Sequence, residues 1–132
     1  MASINIKIGD AFLLETPPNV PHLYIAIAPT ENDKYLFVNL TTRRPNSETA
    51  CILLPNTENM PSYVKAESII DYRFKYVCEL DANELARRIC VGSRIPKCTF
   101  PPDILDKIQV GGLISKRLQK MHKDALKRFL EL

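Results

Sequence analysis

The chain has 132 residues, 45% hydrophobic and 25% charged, with 18 Lys and Arg against 15 Asp and Glu for a net charge of +3. That length suits one domain and buries about two-thirds of the surface that its unfolded form exposes, so a core without staples is attainable. No run of about 18 apolar residues occurs, which excludes a membrane-spanning helix, and "MASINIKIGD" has no apolar signal core, so a cytoplasmic location is expected.

Residues 1–80 read as β. "AFLLE" (11–15) is a short strand stopped by the prolines of "TPPNVP", "HLYIAIA" (22–28) a second, and "YLFVNL" (35–40) a third beyond the polar turn "PTENDK". "TACILL" (49–54) is a fourth, and "YVKAESIIDY" and "FKYVCEL" supply one or two more. Five or six short strands with regular turn signals predict a small barrel or sandwich. The apolar runs of the second to fourth strands predict burial on more than one side.

Residues 81–132 read as α. "DANELARRIC" opens with Asp81 and Glu84 at capping-box spacing, and Gly92 is placed to close it. "SRIPKCTF" reads as a rigid connector. "PPDILDKIQV" has prolines where a first helical turn tolerates them, and Gly111-Gly112 should interrupt it. "LISKRLQKMHKDALKRFL" (113–130) predicts one amphipathic helix. Its apolar stripe is Ile114, Leu118, Met121, Ala125 and Phe129, and its basic stripe Lys116, Lys120, Lys123 and Lys127, flanked by Arg117 and Arg128. The charge divides accordingly: residues 1–80 hold seven Lys and Arg against nine Asp and Glu, and residues 81–132 eleven against six.

The chemistry-bearing residues are few. The P-loop, dinucleotide-binding, nucleophile-elbow and zincin patterns are absent. Cys51, Cys78, Cys90 and Cys98 lack C-x-x-C spacing, so buried thiols are expected rather than disulfides or a zinc site completed by His122. His122 falls on a surface-type helix, which leaves His22, at the edge of the proline-stiffened loop, for acid–base work near neutral pH. "FVNLTTRRPN" then places two hydroxyls, Thr41 and Thr42, and two guanidinium forks, Arg43 and Arg44, at the end of the third strand. Hydroxyls donate to a phosphate oxygen and the forks match its geometry. The same residues also suit an ordinary solvated turn.

Three landmarks in order, "IKIGDAFLLE", "YLFVNLTT" and "ACILLPNTENMPSYVKAESIIDYRFKYV", resemble the PemK/MazF family of toxin endoribonucleases over residues 6–78. The resemblance implies an SH3-like β-barrel over residues 1–80; the helices read over 81–132 have no counterpart in the family's short toxins, so the chain is expected to be an α+β protein in which a basic helical extension over 81–132 packs on or beside the barrel. The resemblance further implies cleavage of single-stranded RNA without metal or other cofactor, by attack of a ribose 2′-hydroxyl on the adjacent phosphate, and a toxin–antitoxin setting with an antitoxin-like partner and a homodimer. The family's third-strand threonine or serine maps to Thr41 or Thr42. Its second-strand arginine is missing: the chain reads "PHLY" there, with His22 in its place. The expected catalytic group is therefore His22, Thr41, Thr42 and Arg43, with RNA contacts from Arg44, Lys116, Lys120, Lys123 and Lys127. Two other readings stay open, a nucleic-acid-binding barrel that does not cut and a protein-interaction module.

Overall fold

The computed structural model describes residues 4–16, 20–90, 92 and 95–132. Five strands carry the first half: β1 (Asp10–Thr16), β2 (Val20–Pro29), β3 (Tyr35–Thr42), β4 (Ile52–Leu53) and β5 (Ser68–Asp71). A 3-10 turn (Phe74–Tyr76) then leads into β6 (Cys78–Leu80) and helix α1 (Ala82–Arg88). After β7 (Cys98–Thr99) come two longer helices, α2 (Pro102–Ile114) and α3 (Lys120–Leu130). The architecture is α+β: one antiparallel sheet curled into a half-barrel, then C-terminal helices. Strand order is β4-β5-β3-β2-β1-β7, with β6 also on β3.

Side-chain alternation sorts the sheet into two faces. Ala11, Leu23, Ile25, Val38, Leu40 and Ile70 face the larger core, where Phe100, Ile104, Ile108, Leu118 and Leu126 of the C-terminal segment cover them. Phe12, Leu14, Tyr24, Ala26 and Phe37 face a smaller core closed by Ile6, Leu80 and Leu85. β2 and β3 are thus buried on both sides, as their apolar runs predict. A β-bulge between Ala26 and Ala28 shifts the β2–β3 register and turns Ile27 and Ala28 both toward the larger core.

Local chemistry sets the element ends. Gly9 takes φ +103, open to glycine, and Asp10 then accepts from the Lys7 N–H (3.2 Å) and the Thr99 hydroxyl (2.9 Å), so the Gly-Asp pair pins β7 to β1. α1 has the expected capping box: Glu84 N–H donates to Asp81 Oδ1 (2.8 Å) and Asp81 N–H to Glu84 Oε1 (3.0 Å).

Several expectations are corrected. The fourth strand shrinks from 49–54 to Ile52–Leu53, and the 63–72 run keeps only Ser68–Asp71. α1 closes at Ile89, before Gly92. The described part of the connector, 95–100, contributes β7, because its backbone bonds to the outer edge of β1: Lys97 N–H donates to the Ala11 carbonyl (2.8 Å) and Phe100 N–H to that of Gly9 (2.9 Å), while residues 93 and 94 lie outside the described residues.

Gly111 and Gly112 lie inside α2 rather than breaking it. A Cβ at Gly111 would stand 2.5 Å from the Tyr72 hydroxyl and 2.8 Å from Cys51 Cβ, and one at Gly112 would stand 3.0 Å from Leu126 Cδ2. The pair permits close approach of helix to sheet, and Tyr72 locks it by donating to the Ile108 carbonyl.

The single helix expected over 113–130 is two helices. Ser115 ends α2, and its Oγ accepts from the N–H groups of Arg117 (3.0 Å) and Leu118 (3.2 Å), an alternative to the helical ladder. The break rotates α3 relative to the expected stripe. Leu118, His122, Ala125 and Leu126 are buried, while Ile114, Met121 and Phe129 are exposed. His122, expected on the surface, packs inward with Nε2 3.6 Å from Glu79 Oε2.

Replacing Gly111 with alanine tests the close approach. In an open helix the change stabilises by about 1 kcal/mol. Here overpacking against buried Tyr72 is expected to win and destabilise by about 1–3 kcal/mol in urea unfolding. A gain in stability would show that Tyr72 and Cys51 give way.

Candidate functional site

One end of the smaller-core face is polar. The register sets Asn39 opposite Asp71 and Thr41 opposite Ile69, while Leu23 opposite Leu40 brings His22 to the level of Thr41. Alternation then turns His22, Asn39, Thr41 and Asp71 to the same side of the sheet. They form the floor of a cleft of about 310 Å³. Its walls include Thr42 at the end of β3, Arg44, Ser47 and Glu48 from the loop after it, Arg73 and Tyr76 at the two ends of the 3-10 turn, and Arg117 from the α2–α3 connector.

The loop after β3 is a turn. Ser47 N–H donates to the Arg44 carbonyl (3.1 Å) and Arg44 N–H to Ser47 Oγ (2.8 Å), with Pro45 and Asn46 in the central positions that favour them. Arg44, the first residue of that turn, lines the cleft. Arg43 does not, because the β3–β5 ladder continues past Thr42: Arg43 N–H donates to the Glu67 carbonyl (3.0 Å) and its guanidinium pairs with the Glu67 carboxylate. That exposed cross-strand pair is worth under about 1 kcal/mol.

Within the polar floor Asn39 and Asp71 are buried, whereas His22 and Thr41 are half-buried. Asp71 is 6% exposed and holds Arg73 in a fork, Nε to Oδ1 at 3.0 Å and Nη2 to Oδ2 at 2.8 Å. The Arg73 guanidinium also lies 4.9 Å from the centre of the Tyr76 ring. Asn39 is 1% exposed, and its Oδ1 has no hydrogen-bond partner among the described residues. An amide oxygen buried without a partner costs about 1–3 kcal/mol. Beside Asn39 in the β2–β3 register, burial pushes the Tyr24 phenol up to about 12, so it stays neutral.

The electrostatic balance favours an anion. Arg44, Arg73 and Arg117 line the cleft against Asp71 and Glu48. Asp71 is satisfied by Arg73, and Glu48 accepts from Ser115 and Lys116. Among the described residues the guanidinium groups of Arg44 and Arg117 have no carboxylate partner. A second recess of about 550 Å³ lies on the other side of the same strand ends, lined by Tyr63, Lys65 and Lys97 together with His22, Thr41 and Thr42. His22 and the two threonines border both recesses.

Of the residues singled out from sequence, the fold therefore joins His22, Thr41, Thr42 and Arg44, and leaves Arg43 outside. None of Lys116, Lys120, Lys123 and Lys127 lines the cleft. Lys120 pairs with Asp124 (3.0 Å), and the Lys123 ammonium donates to the Ser115 carbonyl. Sequence reasoning missed Asn39, Asp71, Arg73 and Arg117. A signal existed for Asn39: an amide inside the apolar run of β3, two residues before Thr41. No group of three or more His, Cys, Asp or Glu side chains suited to a metal ion occurs among the described residues. Among the described residues no helix is long and apolar enough to cross a membrane. No family model matches the sequence, and no curated protein matches it.

All four cysteines are free thiols, but only Cys51 is buried as expected; Cys78, Cys90 and Cys98 are half-buried. Burial pushes Cys51, Cys78 and Cys98 up to about 11. At pH 8 only about one such thiol in a thousand is the reactive thiolate. Burial also raises Cys90, but less. Iodoacetamide at pH 8 is accordingly expected to alkylate Cys90 first, with the other three reacting only in denaturant. Rapid modification of two or more thiols in the folded protein, read by mass spectrometry, would contradict this burial.

Proposed function

We propose that the protein binds single-stranded RNA across the end of its sheet and cleaves it without a metal ion, in the manner of the PemK/MazF toxins that residues 6–78 resemble. On this reading the half-barrel is an SH3-like barrel. The observation that carries the proposal is the joining of His22, Thr41, Thr42 and Arg44 in one arginine-rich cleft. The two recesses sharing His22 and the threonines add support, since a strand laid over the sheet end would fill both and bring one phosphate to the residues between them.

In this mechanism His22 accepts the proton of the ribose 2′-hydroxyl as that oxygen attacks the adjacent phosphorus. The P–O5′ bond breaks, the leaving 5′-oxygen takes a proton from water, and a 2′,3′-cyclic phosphate remains. Thr41 and Thr42 donate to the non-bridging oxygens, and Arg44 supplies the permanent positive charge that histidine does not replace. An antitoxin-like protein would act by occupying this cleft.

The test is incubation of the protein with a long single-stranded RNA in EDTA, with the new ends mapped. Discrete cuts are expected, slowed about 10²–10⁴-fold by His22→Ala and about 10²-fold by Arg44→Ala. Arg43→Ala is expected to stay within about threefold of the wild-type rate, since its guanidinium is held by Glu67 outside the cleft. Intact RNA with the wild-type protein would remove the reaction and leave a binding module. Equal effects from Arg43→Ala and Arg44→Ala would overturn the assignment of the phosphate contact.

A further inference from the structure

The cleft is not built by the β half alone. Arg117, which lines it, comes from the connector between α2 and α3, and a carboxylate from the loop after β3 holds that connector. Glu48, in the loop after β3, accepts from the Ser115 hydroxyl at Oε1 (2.6 Å) and from the Lys116 N–H at Oε2 (2.8 Å). Ser115 is 1% exposed. Its Oγ accepts from the N–H groups of Arg117 and Leu118, and its carbonyl accepts from the Lys123 ammonium. These polar groups of the turn are committed to fixing its shape, whereas the Arg117 guanidinium has no carboxylate partner among the described residues.

A glutamate lining a cleft that binds a polyanion is a liability unless its charge is used. Here both oxygens are taken by the connector. Glu48 also ties two segments 67 residues apart, so the arginine-bearing turn and the Arg44 loop are braced against each other. The brace fixes the backbone from which the Arg117 side chain reaches into the cleft.

We propose that Arg117 is a phosphate contact supplied by the C-terminal segment, and that Glu48 is its positioning residue. This rests on the RNA-binding reading of the cleft and deepens it: the helical half completes the nucleic-acid site through one turn, rather than through the lysine face of α3.

A fluorescein-labelled 2′-O-methyl RNA oligomer, whose blocked 2′-oxygens prevent cleavage, serves as the probe, with binding followed by fluorescence polarisation across a salt series. On single strands, each phosphate neutralised by the protein adds about 0.7 to the slope of log affinity against log salt. Arg117→Gln is expected to weaken binding and flatten the slope by about that amount, and Arg117→Lys to restore the slope. Glu48→Ala provides the sharper test, because charge and positioning predict opposite signs. Removing a negative charge from the cleft by itself tightens binding and leaves the slope unchanged or steeper; without the brace, binding weakens and the slope flattens, which is the expected result. Tighter binding by Glu48→Ala, or an unchanged slope in Arg117→Gln, would overturn the proposal while the RNA reading stands. A wild-type protein that does not bind the oligomer would overturn both.

Discussion

β3 has no free edge. β2 runs along one side of it, while β6 pairs with its first half and β5 with its second. A strand paired on both edges and covered on both faces must be apolar on alternate and intervening positions alike, and "YLFVNL" is so except at one residue, Asn39. The handover from β6 to β5 along one edge sets where the smaller core ends. Up to Phe37, side chains on that face meet Phe12, Leu80 and Leu85; from Asn39 onward they meet Asp71 and open into the cleft. The site is thus the polar continuation of a core face, and the pairing pattern of one strand positions it.

Such placement has electrostatic consequences. A carboxylate as buried as Asp71 is tolerable only when paired, and the Arg73 fork pairs it. That fork also holds a guanidinium over Tyr76 at the cleft wall. The cleft's second carboxylate, Glu48, is engaged by a hydroxyl and a backbone N–H, which neutralise no charge but occupy both of its oxygens. Arg44 and Arg117, from different segments of the cleft lining, are left as the cations able to meet an incoming anion. Favourable field and unmet hydrogen bonding at Asn39 coincide in one place, a combination that a folded chain keeps only by being stabilised elsewhere.

The C-terminal segment is joined to the sheet by the same core that the strands form. Phe100, Ile104 and Ile108 pack on the face carrying Leu23, Ile25 and Val38, and the Tyr72 hydroxyl reaches the α2 backbone. Glycine at 111 and 112 is what permits that approach, which explains why two poor helix formers sit near the end of α2 without ending it. The helix ends instead at Ser115, where the side chain competes for backbone donors and Glu48 takes the Lys116 N–H. The buried stripe of α3 accordingly runs through His122, Ala125 and Leu126.

The sequence alone determined the features that depend on near neighbours. These are the three long strands, the two-sided burial of the second and third, the Asp81–Glu84 cap, the turn at Pro45-Asn46, and the grouping of Thr41, Thr42 and Arg44 beside it. Each follows from alternation, capping or turn chemistry within a few residues. What the tertiary structure decided depends on partners far away in the chain. Arg43 is drawn out of the cleft by Glu67, and Arg117 is brought into it by Glu48. Asp71 and Asn39 become a buried polar floor only when β5 pairs with the second half of β3. The glycine pair reads as a helix break until Tyr72 and Cys51 stand against it, and the apolar stripe of 113–130 reads as one helix until Ser115 divides it. Local patterns fix which elements form, whereas the charges and close approaches that make a site are settled by long-range pairing, which no short window of sequence contains.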